Sequence, residues 1–205
     1  MQINPRFGVA TVVVGFLLGF LDFVWIKYMP VPLAGLGNSI AIWAVAAFLF
    51  TYCTRRAMPG SIIGAAVMLV CAVPSYYLAA TLIQNDAWSN LWNTNSFMWM
   101  GLGAVTGIVF GAGGVAARRP GRLRLSALAL PAAILLAEMI VDLRRRGDPN
   151  YQTSEIVEYA VILAVLAVAF TVVVGRTSRD RIVASAYALP LSVAGYVLIT
   201  ASGLQ

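Results

Sequence analysis

The run Gly8-Val9-Ala10-Thr11-Val12-Val13-Val14-Gly15-Phe16-Leu17-Leu18-Gly19-Phe20-Leu21-Asp22-Phe23-Val24-Trp25-Ile26 holds a single ionisable side chain, Asp22. As a helix it rises roughly 28 Å, close to the roughly 30 Å of a bilayer's hydrocarbon core. Lipid offers the backbone no hydrogen-bond partner, so an apolar stretch of this length satisfies its amides by coiling into a helix. With Asp22 inside it and no convincing small-residue cleavage site after it, the run reads as a retained helix and not as a cleaved signal peptide.

Six further runs repeat the pattern: Asn38 to Thr54, Gly60 to Ile83, Ser96 to Ala117, Arg124 to Leu143, Glu155 to Gly175 and Ile182 to Ala201. Breaker residues separate them, among them Pro30 and Pro32, Pro59-Gly60, Pro120-Gly121 and Gly147-Asp148-Pro149. Of the 205 residues, 60% are hydrophobic and 11% charged, against the roughly 25% charged of a soluble domain. The expectation is an all-α, polytopic membrane bundle of about seven transmembrane helices, forming one transmembrane domain over residues 1–205.

The net charge of +6 does not point to nucleic acid, because the arginines stand in short clusters between apolar runs. Cytoplasmic loops are enriched in Arg and Lys. The face of the N-terminus collects Arg6, Arg55, Arg56, Arg118, Arg119, Arg122, Arg124, Arg176, Arg179 and Arg181, ten of the fourteen basic residues. The other face carries Lys27 and Arg144 to Arg146. This places the N-terminus in the cytoplasm and the C-terminus outside, in a bacterial cell membrane.

Absences narrow the chemistry. The chain has no histidine, which removes imidazole-ligated haem, histidine zinc sites and Ser-His triads. Its only lysine, Lys27, ends the first span, so seven helices do not imply a retinal Schiff base in the last one. Cys53 and Cys71 are isolated and read as structural thiols. No internal repeat of the inverted-transporter kind is evident. No Asp-rich D-D-x-x-D run is present, which disfavours metal-dependent prenyl chemistry, and no cofactor is expected. Gly15 and Gly19, and Gly103, Gly107 and Gly111, are spaced for close helix packing.

On this topology Asp22, Asp86, Glu138, Asp142, Asp148, Glu155 and Glu158 lie toward the outer face, with Asp180 alone inside. Asp86, Asp148 and Glu155 fit solvated loops. Asp22 sits a turn inside the first helix, Glu138 and Asp142 share a face of the fifth, and Glu158 begins the sixth. A carboxyl inside a span costs several kcal/mol unless it is paired or wet, which makes it a functional candidate. Ion pairs with Arg144 to Arg146 or Lys27 are the bland alternative. Two neighbouring carboxyls in a dry place repel, so one of them can hold a proton and serve as a general acid with the other as base.

Aromatic residues share the asymmetry: all five tryptophans fall on the outer side, with Tyr28, Tyr76, Tyr77, Tyr151, Tyr159 and Tyr196. An interfacial belt is one reading; an aromatic-lined cavity is the other. Acids above aromatic faces suit carbocation chemistry, in which the acid protonates an alkene or epoxide and the rings stabilise the cation. Arg144 to Arg146 break the positive-inside pattern, either as a solvated loop or as a group that fixes the acids or meets a polar substrate head.

The stretches Gly37-Asn38-Ser39-Ile40-Ala41-Ile42-Trp43-Ala44-Val45 and Pro74-Ser75-Tyr76-Tyr77-Leu78-Ala79 resemble a family of small actinobacterial membrane proteins of unassigned function. Size, seven spans and intramembrane acids are also similar to membrane-bound terpene cyclases, including the bacterial enzymes that cyclise farnesylated indole diketopiperazines toward drimentine-type products. That resemblance implies protonation-started cyclisation without metal or diphosphate loss.

The leading expectation is therefore a cofactor-independent, membrane-embedded terpene cyclase acting on a prenylated small molecule taken from the lipid. Asp22, Glu138, Asp142 and Glu158 are the candidate acids and bases, and Trp25, Tyr76, Tyr77, Trp88, Trp92, Trp99 and Tyr159 the candidate lining. A small-solute or vitamin transporter, or its substrate-binding component, would use the same acids. A non-catalytic partner or immunity protein is the third reading. Oligomeric state is not legible.

Overall fold

The computed structural model describes residues 5–54 and 58–201; the topology signals Arg55 and Arg56 lie outside the described residues. Seven α-helices follow one another: α1 Pro5–Tyr28, α2 Ile40–Thr54, α3 Met58–Gln84, α4 Thr94–Arg118, α5 Arg124–Leu143, α6 Thr153–Val174 and α7 Ser178–Ala201. Short 3-10 helices, Leu33–Asn38 and Trp88–Trp92, precede α2 and α4. No strand occurs among the described residues. Six of the helices are long and apolar enough to span a membrane, and the protein is an integral membrane protein of the all-α, polytopic class.

The second expected span, Asn38 to Thr54, is shortened at its start. Asn38 closes the 3-10 helix, and α2 has 15 residues. It rises roughly 22 Å, less than the roughly 30 Å core. Residues 30–39 carry Pro30, Pro32, Gly35 and Gly37, so the helix begins only at the first residue that follows a capping serine. Ser39 supplies that cap, its Oγ accepting the Ile42 N–H at 3.0 Å. Asn93 does the same for α4 and Thr177 for α7, accepting the N–H of Ser96 at 2.8 Å and of Asp180 at 3.1 Å. At the other end of α3, Asn85 takes the left-handed conformation, φ 61°, which asparagine tolerates and which stops the helix.

Two compact units make up the chain. Unit 1 comprises Met1–Met29 and Ala46–Val115, and unit 2 comprises Pro30–Val45 and Ala116–Gln205. In unit 1, α1 packs along α3 through the two glycines of its G-x-x-x-G. A side chain on Gly15 would run into the Met68 carbonyl, and one on Gly19 into the Ala72 carbonyl, so the backbones touch. The Ser75 hydroxyl donates across the same seam to the Phe16 carbonyl. The pairs advance together, Gly15 with Met68 and Gly19 with Ala72, so α1 and α3 are parallel. A chain that leaves the far end of α1 and enters α3 at the near end must travel back the same height, and α2 is the helical part of that return.

α4 uses its own glycines. Gly107 leaves room for the Ala66 backbone, and the Thr51 hydroxyl donates to the Gly111 carbonyl at 2.9 Å. The glycine spacing read in the sequence is thus a packing device in both places. In unit 2, α5 packs against α6 and α7 with a buried face of Ala129, Ala132, Ala133, Leu135 and Ala137. At the start of this group Arg124 grips Asp180 with two bonds of 2.8 and 2.7 Å.

Candidate functional site

The expected site residues fall into two groups, one in each unit. Asp22, Trp25, Tyr76, Tyr77, Trp88, Trp92 and Trp99 belong to unit 1; Glu138, Asp142, Glu158 and Tyr159 belong to unit 2.

In unit 1, Asp22 is buried, 8% exposed, inside a helix whose other charged residues, Arg6 and Lys27, stand near its ends. It lies within electrostatic reach of the Tyr76 hydroxyl on α3. The Tyr76 ring stands perpendicular to that of Phe23, centroids 5.4 Å apart, and to that of Tyr77 at 5.6 Å. These T-shaped contacts set a negative ring face against a positive ring edge. Phe23, Ala79 and Ala80 form the dry base, with Phe20, Tyr76 and Ile83 packed on it. The Tyr77 hydroxyl accepts from Asn95 Nδ2 at 3.0 Å. The outcome is one carboxyl near Tyr76, whose ring joins those of Phe23 and Tyr77 in a group held by residues of α1, α3 and the first turn of α4.

The rim of unit 1 is wet. Lys27 Nζ donates to Gln84 Oε1 at 3.2 Å, and Gln84 Nε2 donates to Asp86 Oδ1 at 3.2 Å, all exposed. Trp25, Trp88 and Trp92 are exposed as well, the last two by 56% and 60%, the placement of tryptophans at a membrane–water boundary. Trp99 is half-buried on α4. Of the aromatic residues expected to line a cavity in this unit, Tyr76 lies within electrostatic reach of Asp22, and Tyr77 packs on its ring.

In unit 2 the acids on α5 behave differently from each other. Both Glu138 oxygens are occupied as acceptors: Oε2 takes the Ala41 N–H at 2.8 Å, and Oε1 takes the Tyr159 hydroxyl at 2.8 Å. Ala41 is in the first turn of α2, where four N–H groups have no partner within the helix. Ser39 covers one of them locally, and Glu138 covers another from 97 residues away. A carboxylate also suits the positive end of the helix dipole there. Tyr159 stands 3.2 Å from the Gly35 carbonyl, and a Cβ on Gly35 would lie 2.9 Å from its ring. Only glycine lets the ring approach so closely.

Asp142, one turn further along α5, makes a single ion pair among the described residues, with Arg145 at 3.2 Å. The guanidinium of Arg145 also lies over the Tyr151 ring, 5.4 Å from its centroid, and that of Arg144 over Tyr196 at 5.6 Å. Two of the three arginines that break the positive-inside pattern are therefore tied to residues of their own unit. Glu158 is exposed, and its neighbour Tyr159 is the α6 residue that reaches Glu138. Successive helix residues point about 100° apart, so one position decides which of the two meets α5.

Sequence reading missed Ser39, Gly35 and the Ala41 N–H as members of this cluster. A serine directly before an apolar run was the available signal for the cap; nothing local could reveal the acid that completes it. Among the described residues no group of three or more acidic or cysteine side chains is placed to hold a metal ion.

No curated protein and no solved structure matches the chain. A family model matches residues 2–203, and the chain accordingly belongs to that family, DUF6518, a family of unknown function.

Proposed function

We propose that this protein is a membrane-embedded, cofactor-independent terpene cyclase that acts on a prenylated small molecule such as a farnesylated indole. The observation that carries this reading is Asp22: a carboxyl buried in a spanning helix within electrostatic reach of Tyr76, whose ring packs on Phe23 and Tyr77. Such a carboxyl gives its proton to an alkene or epoxide of the bound chain, π electrons close the ring, and the positive charge that moves along the carbons is met by aromatic faces. A base then removes a proton, so the product is an isomer of the substrate.

Within unit 2, Asp142 is the candidate acid, since its ion pair with Arg145 engages one of its two oxygens. Glu138 is better suited to positioning, because both its oxygens already accept hydrogen bonds. The test is chemical. Membranes holding the full chain, incubated with farnesylated indoles and other linear prenylated compounds, should yield a product of unchanged mass and altered retention. Absence of any isomer, together with saturable uptake of a solute, would replace the cyclase with a transporter.

The finer localisation belongs to the same proposal: a bacterial cell membrane, the N-terminus in the cytoplasm and the C-terminus outside. The bias of arginine toward one set of loops supports it, as does the parallel course of α1 and α3, which requires the chain to recross between them. A reporter fused to the C-terminus should be active only outside the cell; cytoplasmic activity would contradict the orientation.

A further inference from the structure

At the end of unit 2 opposite the Glu138 cluster, the start of α5, the end of α6 and the start of α7 come together. Arg124 and Asp180 join two of these ends bidentately, and Arg181 Nε donates to the Gly175 carbonyl at 3.0 Å. The connections at 119–123 and 175–177 are thereby held at one end. Asp180 is the only acid in this part of the chain, and Arg124 occupies it.

Arg119, Arg122, Arg176 and Arg179 are exposed, and their guanidinium groups have no hydrogen bond or ion pair among the described residues. Beside them stand two exposed aliphatic side chains, Leu123 at 71% and Ile182 at 70%. A topology signal needs only the charge. Unpaired guanidinium groups next to bare aliphatic carbon, at the ends of three spanning helices, match a molecule that is anionic at one end and hydrocarbon at the other. An acidic soluble protein would satisfy the arginines and leave Leu123 and Ile182 uncovered.

We propose that this face binds an anionic phospholipid, its phosphate held by Arg122, Arg176 and Arg179 and its acyl chains along Leu123 and Ile182. Guanidinium groups take phosphate oxygens in pairs, which makes arginine the residue for the task. The inference does not depend on the cyclase reading.

The test titrates the detergent-solubilised full chain with phosphatidylglycerol and counts bound lipid by native mass spectrometry, with phosphatidylcholine as the neutral comparison. Saturable binding of phosphatidylglycerol is expected, and it weakens as salt is raised. The triple variant Arg122→Gln, Arg176→Gln, Arg179→Gln should lose on the order of a hundredfold in affinity. Arg146→Gln, an exposed arginine at the other end of unit 2, should lose nothing. Equal binding of phosphatidylcholine, an undiminished triple variant or an equal loss in Arg146→Gln would overturn the proposal. Displacement of the lipid by polyglutamate with no lipid preference would assign the face to an acidic protein instead. If the triple variant fails to fold, wild-type binding that ignores ionic strength overturns the proposal without it.

Discussion

Glu138→Ala is expected to lower the thermal unfolding midpoint of the solubilised protein by roughly 10 °C. The substitution removes the acceptor of the Ala41 N–H, which lies in a buried turn, and of the Tyr159 hydroxyl. A buried donor left without a partner costs about 1–3 kcal/mol. Tyr159 retains the Gly35 carbonyl as a second acceptor, so the larger share of the loss falls on α2. Tyr159→Phe alone should cost about 1 kcal/mol, and the double variant less than the sum of the two, because the carboxylate and the hydroxyl serve each other. Scanning calorimetry or a dye-based melt reads all three. A midpoint for Glu138→Ala within about 2 °C of wild type would mean that the carboxylate does not brace the helix.

Under the proposed cyclase function, turnover should respond most to Asp22. Asn has the shape of Asp and no acidic proton, and removal of a general acid lowers rates by about 10²–10⁴-fold. Asp22→Asn is accordingly expected to lose cyclisation by that factor while still folding, since Phe23, Tyr76 and the two glycine contacts of α1 are untouched. Asp142→Asn should also fall, and Asp142→Asn with Arg145→Gln should fall no further, because the arginine has lost the charge it accompanied. Glu138→Gln differs in kind: its loss should track the fraction of folded protein. Full turnover in both Asp22→Asn and Asp142→Asn, in protein that melts normally, would remove the acid assignment.

The bundle was legible because hydrocarbon leaves the backbone few choices. Runs such as 8–26 and 124–143 could be little else, and their breaks at Pro and Gly held to within a few residues. The exception was α2. Its apolar run begins at Asn38, but the proline- and glycine-bearing approach spends Leu33–Asn38 in a 3-10 helix before Ser39 caps the start. The candidate acids were visible as charges inside spans, yet their different roles were not. Glu138 and Asp142 are four residues apart on one helix face, and only the fold shows that one meets the start of a helix 97 residues away while the other meets Arg145. Glu158 and Tyr159 are adjacent in sequence, and the angle between neighbouring helix positions, not composition, selected the tyrosine. The arginine clusters were readable as a count, but the pairing of Arg124 with Asp180 and of Arg145 with Asp142 was not.

The backbone contact of α1 with α3 has a consequence for how the protein is made. Ribosomes deliver α1 before α3, so its glycine face and Asp22 are made before Met68, Ala72 and Tyr76. Until the chain has turned back through α2 and sent α3 across, the first helix is an acid-bearing segment with its intended neighbour still unwritten. Assembly therefore has a fixed order, and the interval between the two helices is the stage at which a nascent chain most needs something else to shield it.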